Sequence, residues 1–216
     1  AVVLTEQLGD GVLLQEFPPQ TDFSNDYVGN TPLRDLSPAL PDGLRRYYQD
    51  RGPLYDLTEE LERADRAFCQ DPENFQPFRV EQRVSWSASA PGAHYFLTTL
   101  SRTPEPRLLE EIQWTDAFDP MTGAHIPTEE LFSAGRDQVI AALLAQMKGV
   151  EAPLAQELRD AFQFSYLCFW PDHLSVRFPA GSLPSQEYSW GWSIGYDALS
   201  GVLRPWAVPA EEPPEL

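Results

Sequence analysis

The sequence predicts an α+β fold: an antiparallel β-sheet, made of a meander plus a C-terminal hairpin and strand, packed by two to four helices. A Pro-rich irregular segment precedes it. Three observations carry that prediction. Residues 78–115 alternate apolar and polar side chains with period two over three runs separated by turn signals. Residues 136–162 change to the i, i+3, i+4 spacing of two amphipathic helices, and 163–199 return to alternation.

Residues 1–56 read as irregular. The stretch "EFPPQTDFSNDYVGNTPLRDLSPALPDG" is crowded with Pro, Gly, Asn and Asp, with Phe17, Phe23, Tyr27 and Leu36 as apolar anchors. A short helix is expected at 41–49, burying Leu44, Tyr47 and Tyr48. A second starts at Thr58 as N-cap, with Glu59 and Glu60 in the first turn, where the helix dipole favours anions. Its apolar face is Leu57, Leu61, Ala64 and Phe68, and Pro72 and Pro77 close it.

The meander follows. In "FRVEQRVSW", Phe78, Val80, Val84 and Trp86 face one way and Arg79, Glu81, Arg83 and Ser85 the other, a sheet with one wet side. "HYFLTTLSR" and "LLEEIQWT" complete it, with turns at "APGA" and "TPEP". The bend "DPMTG" comes next. Asp119 can accept backbone hydrogen bonds, Pro120 presets a turn dihedral and Gly123 tolerates positive φ. Thr128 opens a helical turn and Ser133 is expected to recap. The stripe Val139, Ile140, Leu143, Leu144, Met147 then forms a helix ending at Lys148 and Gly149. Pro153 opens the next helix, with Leu154, Leu158 and Phe162 on its inner face.

The remainder is β: "FQFSYLCFW" and "LSVRF" as a hairpin, then "EYSWGWSIGYDAL" as a strand. In that strand Tyr188, Trp190, Trp192, Ile194 and Tyr196 share one face, and Ser189, Gly191, Ser193 and Gly195 the other. So bare a face lets another backbone approach closely. The organisation expected is an irregular wrap over 1–56, helix plus meander over 57–115, a C-terminal α+β region over 116–208 and a loose acidic tail over 209–216. Residues 57–208 are expected to pack as one unit.

Composition excludes several functions. With 216 residues, 42% hydrophobic and 12% aromatic, the chain can bury a core, and it is too apolar for intrinsic disorder. A formal net charge of −18 opposes nucleic acid, whose phosphates need a basic face, and adsorption to anionic lipid. It favours cationic partners. No apolar run reaches the ~20 residues of a bilayer-spanning helix. The chain begins at Ala1 rather than Met, so a signal peptide, an anchor or another preceding segment is expected upstream. Cys69 and Cys168 are expected to be unbridged, the second as a small core residue.

Catalytic signatures are scarce. The sequence holds no P-loop, G-x-G-x-x-G, H-E-x-x-H, C-x-x-C or G-x-S-x-G. His94, His125 and His173 sit at turns without an i, i+4 ligand partner, so no zinc, and no other cofactor, is expected. The acidic loop "TDFSND" lacks calcium-loop spacing. Asp116 and Asp119 form a carboxylate pair in sequence, read as turn-shaping rather than as general acid and base. The row Tyr188, Trp190, Trp192, Tyr196 reads as the core side of a sheet, against a rival reading as a platform for sugar rings. Trp206, beside Pro205, is the better candidate for partial exposure.

"FDPMTGAHIPTEELF", a long helix, and then "FSYLCFWPDHLSVRFPAGSLPSQEYSWGWSIGYDAL" resemble a known extracellular domain. That domain forms the C-terminal region of the lysozyme-sensing anti-sigma factor RsiV and accompanies the peptidoglycan deacetylase PdaC. The matching positions are Phe118, Asp119, Thr122, Gly123, Leu131 and Phe132, then Tyr166, Leu174, Val176, Phe178 and Leu199. The resemblance covers 78–208 and leaves out 1–56. Relatives carry a Gly-Gly-Ala-His segment shortly before the Phe-Asp strand. Here "PGAH" at 91–94 is separated from Phe118 by a further strand, and "PSQEYSWGW" replaces a small-residue segment.

The resemblance implies a non-catalytic extracytoplasmic binding or sensing domain of a bacterial cell envelope. It would take a protein or cell-wall ligand; the departures fall where a partner would dock, so lysozyme recognition does not carry over with the resemblance, and it is the acidity of the chain that points to a cationic protein such as lysozyme. Trp190, Trp192, Trp206, Tyr188 and His94 are the expected contacts, and Asp119, Pro120 and Gly123 the structural turn. The rivals are a carbohydrate-binding module built on Trp and Tyr, a hydrolase using Asp116, Asp119 or His125, and a structural envelope protein. Oligomeric state is left open.

Overall fold

The computed structural model describes residues 3–8, 12–16, 24–30, 42–52, 54–71, 73, 79–105, 108–147 and 149–210. The expected anchors Phe17, Phe23 and Leu36, the prolines 72 and 77, Phe78, Lys148 and the tail beyond 210 lie outside them. So do the side chains of Tyr27, Leu57, Leu61, Ala64, Phe68 and Val80. The chain divides into two compact units: residues 1–36, 45–84 and 98–112, and residues 37–44, 85–97 and 113–216. It is an α+β protein, as its sequence predicts.

The first unit begins with strands β1 (Val3–Leu8), β2 (Val12–Glu16) and β3 (Ser24–Asn30). β1 and β2 pair antiparallel, β2 and β3 likewise, and β3 lies parallel to the start of β4 (Arg79–Ala90), with Val28 opposite Val80. These strands add regular structure to a segment the sequence reads as irregular. Their signal is brief: the apolar residues of "VLTEQL" and "VLLQE" flank a Gly-Asp-Gly, a hairpin pattern that the prolines downstream outweigh.

Helix α1 (Asp42–Arg51) buries Leu44 and Tyr48, as expected, and leaves Tyr47 half-buried. Helix α2 (Leu57–Gln70) starts one residue earlier than Thr58. The capping side chain is Asp56, whose Oδ1 accepts the N–H of Glu59 at 3.0 Å, a carboxylate being as good an N-cap as a hydroxyl. Gln82, on the apolar side of β4, is 2% exposed. Burial is tolerated because its Oε1 accepts the Leu54 N–H at 2.7 Å and its Nε2 donates to the Gly52 carbonyl at 3.2 Å.

The second unit holds the ends of β4, β5 (Ala93–Glu105) and β6 (Leu108–Phe118), with the two-residue β7 (His125–Ile126) beside β6. The turn at Pro91 and Gly92 is as expected, whereas Thr103, Pro104 and Glu105 of "TPEP" extend β5. A second sheet, in the order β10-β9-β8, contains β8 (Leu167–Phe169), β9 (Leu174–Phe178) and β10 (Trp190–Ile194). β8 and β10 are both antiparallel to β9. The core joins Tyr95, Leu131, Val139, Ile140, Leu143, Leu158, Phe169 and Phe178, all fully buried. Tyr95 stacks on Phe169 at 4.5 Å, and its hydroxyl donates to the Ala207 carbonyl.

At four points the structure differs from the sequence expectation. Helix α3 (Arg136–Ala145) stops before Met147, and Gly149, at φ +76°, carries the chain away. Ser133 does not recap it: its Oγ donates to the carbonyls of Gly201 and Val202, held there by the bridge between Phe132 and Leu203. "FQFSYL" begins as a 3-10 turn (Phe164–Tyr166), so β8 keeps only three residues. The last strand is confined to Trp190–Ile194, because Tyr196 enters a 3-10 turn and anchors its hydroxyl on the carbonyls of Trp170 and His173, at 2.6 and 2.8 Å. Helix α4 (Ala152–Ala161) has Pro in its first turn and buries Leu158, with Phe162 at its C-cap, as read. Neither cysteine is in a disulfide; Cys69 is exposed and Cys168 buried.

Candidate functional site

The bend after β6 is built from Asp119 outward. Its Oδ1 accepts three hydrogen bonds, from the Met121 N–H at 2.9 Å, the Thr122 N–H at 2.7 Å and the Thr122 hydroxyl at 2.9 Å. Those donors hold the carboxyl below the usual carboxylate range, the Thr122 backbone bond first among them. The Gly123 N–H donates to the Asp119 carbonyl at 2.9 Å, and Gly123 sits at φ +68°, a conformation open to glycine. A Cβ on Gly43 would stand 2.9 Å from the Gly123 carbonyl oxygen, so the first turn of α1 rests directly on the bend.

The other polar groups of this neighbourhood also have local work. Asp116, 6% exposed, has an Oδ1 3.9 Å from His125 Nε2, and the His125 ring meets Phe118 edge-on at 5.6 Å. His94 Nδ1 shares a hydrogen bond with Ser89 Oγ at 3.2 Å, and its ring packs edge-on against Trp86 at 4.8 Å. Burial lowers the His94 pKa, and the Asp119 charge opposes that shift. His173 is elsewhere, its Nδ1 2.7 Å from Asp172 Oδ1, a bond that holds the Asp172 carboxyl below its ordinary range. Among the described residues, no three His, Cys, Asp or Glu side chains converge as a metal would require.

The aromatic residues fall into two groups. Trp190 and Trp192 are half-buried, 5.4 Å apart, and pack on Phe178, which Trp192 stacks at 6.2 Å; Tyr166 closes on Phe178 from another side at 5.2 Å. Tyr188 precedes the strand and is 57% exposed. Trp206 belongs to the Pro91–Gly92 turn instead. A Cβ on Gly92 would come within 2.8 Å of its ring, and the indole is 36% exposed. Tyr196, read as part of the row, is tied to the carbonyls of the β8–β9 turn.

The arginines of this unit were not singled out from sequence. Arg136 donates from Nε and Nη2 to the Phe162 carbonyl, at 3.1 and 2.9 Å, and from Nη2 to the Asp160 carbonyl, capping the C-terminal end of α4. Arg204 Nε donates to the carbonyls of Glu130 and Phe132, at 3.0 and 3.1 Å. Arg136 and Arg204 are thus hydrogen-bonded to backbone carbonyls, Arg177 is exposed, and Glu129, Glu130, Asp137, Glu151, Glu187 and Asp197 face solvent. A long-range (i to i−28) bond from the Ser185 N–H to Glu157 Oε2 at 3.1 Å, which no local pattern announces, fixes the approach to β10.

No helix among the described residues is long and apolar enough to cross a membrane. No protein-family model matches the chain. No curated protein matches it either. Solved structures similar to it include two DUF3298 proteins. One is a DUF3298 family protein from Pseudomonas aeruginosa PAO1, 12% identical over 98% of this chain and 97% of that one, with a TM-score of 0.48. The other is a member of the DUF3298 family from Bacteroides fragilis, 8% identical over 74% of this chain and 64% of that one, with a TM-score of 0.44.

Proposed function

We propose that this chain is a non-catalytic extracytoplasmic binding or sensing domain of a bacterial cell envelope that recognises a cationic protein, lysozyme being the first to try. One observation carries the reading: on a chain of net charge −18, Arg136 and Arg204 are tied to backbone carbonyls while Glu129, Glu130, Asp137, Glu151, Glu187 and Asp197 face outward. Such a surface draws a basic partner by long-range attraction and rejects an acidic one. The engagement of Asp119 by its own turn supports the non-catalytic part, because an oxygen holding three donors is a poor base. The sequence resemblance to the RsiV-type extracellular domain supports the extracytoplasmic placement.

The test is a calorimetric titration with lysozyme at low and high salt. Binding that weakens at least about tenfold between about 50 and 500 mM salt is expected, since exposed charges are screened over that range. Binding indifferent to salt, or none at either concentration, contradicts the reading. A cell-wall glycan is the second reading, favoured by the exposure of Tyr188 and Trp206. A titration with chitin and peptidoglycan fragments in which Trp206→Ala, still folded, loses binding would put it first.

A further inference from the structure

The second sheet ends in two edges of different character. At β8 the outward N–H of Phe169 donates to Thr115 Oγ1 at 3.2 Å, so that edge is engaged. β10 is the other edge. A Cβ on Gly191 would lie 2.3 Å from the Val176 carbonyl oxygen, so that carbonyl points at β10, and Trp192, opposite Val176, forms a hydrogen-bonded pair with it. Trp190 and Ile194 share that phase. Gly191 and Ser193, between them, turn their N–H and C=O groups away from β9. Among the described residues, no backbone hydrogen bond reaches those outward groups, and both residues are exposed.

Edges left open in this way accept another strand unless they are guarded. "WGWSI" has none of the usual guards, carrying no charge and no proline. Its ends are flanked by exposed Glu187 and Asp197, and Trp190 and Trp192 on one face are partly buried against Phe178, with the Trp192 Nε1 fully buried and the remaining exposed part of each side chain at the strand's surface. A cation suits that face, stacking over an indole while its charge is drawn by the flanking carboxylates. Arg177, an exposed cation, lies opposite Gly191 on the other face. A second copy of this chain is a poor occupant, because each copy brings a net charge of −18.

We propose that β10 is a strand-addition site. It takes an extended segment of a partner with basic residues at alternate positions, the bases over Trp190 and Trp192 and small or apolar residues over Gly191 and Ser193. This rests on the cationic-partner reading above and gives it a place.

The probe is a seven-residue peptide alternating lysine and valine, and the control replaces lysine by glutamate. The readout is amide exchange at Gly191 and Ser193 by NMR, with affinity by titration. The lysine peptide is expected to protect both amides and the glutamate peptide to leave them unprotected. Ser193→Pro removes an outward N–H without touching the ladder to β9, and is expected to weaken binding at least about tenfold. Ser193→Ala, which loses only the 3.0 Å contact to Ser175 Oγ, is expected to bind as the parent does. Protection by neither peptide, unchanged binding by Ser193→Pro, or sedimentation showing a dimer through β10 overturns the proposal. Equal protection by both peptides leaves strand addition standing and overturns the cationic partner. Salt-dependent lysozyme binding without protection at β10 does the reverse.

Discussion

The bend at Asp119 and the edge strand β10 belong to the same unit and treat their hydrogen-bonding groups in opposite ways. At the bend, one carboxylate oxygen answers three donors, the Gly123 N–H closes the turn, and the first turn of α1 rests on the glycine carbonyl. At β10, among the described residues, no backbone hydrogen bond reaches the outward N–H and C=O of Gly191 and Ser193, and the two neighbouring indoles are only partly buried. The bend looks more like chemistry in the sequence, with its acid, proline and glycine, yet its polar groups are already engaged. The plainer stretch has groups available for another molecule. A polar side chain signals function only when the fold has not already given it a partner.

The largest effect is expected where the edge strand meets the core. Phe178 is fully buried on β9, beneath Trp190 and Trp192 and against Tyr166. Phe178→Ala should cost about 4 kcal/mol in chemical denaturation, and it should shift the tryptophan emission to the red as the indoles lose their support. A loss below about 1 kcal/mol would mean that β10 stands without the core.

The next effect sharpens the picture of the bend as a seat. Gly43→Ala places a methyl 2.9 Å from a backbone oxygen that cannot move aside without unsettling Gly123. A loss of about 2 kcal/mol is expected, with lysozyme affinity unchanged. A neutral or stabilising result would separate α1 from the bend.

The smallest effect is a pH dependence with two limbs. His94 is held below its ordinary 6.5 by burial, so the unfolded chain takes up its proton first. Stability should therefore decline as pH falls through the region of 6.5, and His94→Gln should flatten that limb. Asp119 is held below 3.8, so its contribution is full above that value and is lost as pH falls further. Melting temperatures from pH 8 to pH 3 measure both limbs. A rise in stability on acidification between pH 7 and 5 would contradict the assigned burial of His94.

Much of this fold was legible because it is written in periodicity. The helices at 136–145 and 152–161 follow from Val139, Ile140, Leu143 and Leu158, and the meander follows from alternation around Val84 and Ala88. The Asx geometry of Asp119 and the positive φ of Gly123 also follow from local chemistry. Tertiary partners do not. Nothing near Ser133 announces the carbonyls of Gly201 and Val202, and nothing near Tyr196 announces those of Trp170 and His173. Each of those long-range bonds moved an element boundary. Among Val80, Val84 and Trp86 the polarity of Gln82 hides a buried position, and Gly43 carries no local sign of the backbone it touches.

The most direct measurement compares two variants, Asp119→Asn and Ser193→Pro, by melting temperature and by titration with the lysine–valine peptide. The account predicts that Asp119→Asn melts lower on neutral solution yet binds as the parent does, while Ser193→Pro melts close to the parent and loses the peptide. The reverse result, binding lost at Asp119 and kept at Ser193, would place the working surface at the bend and contradict it.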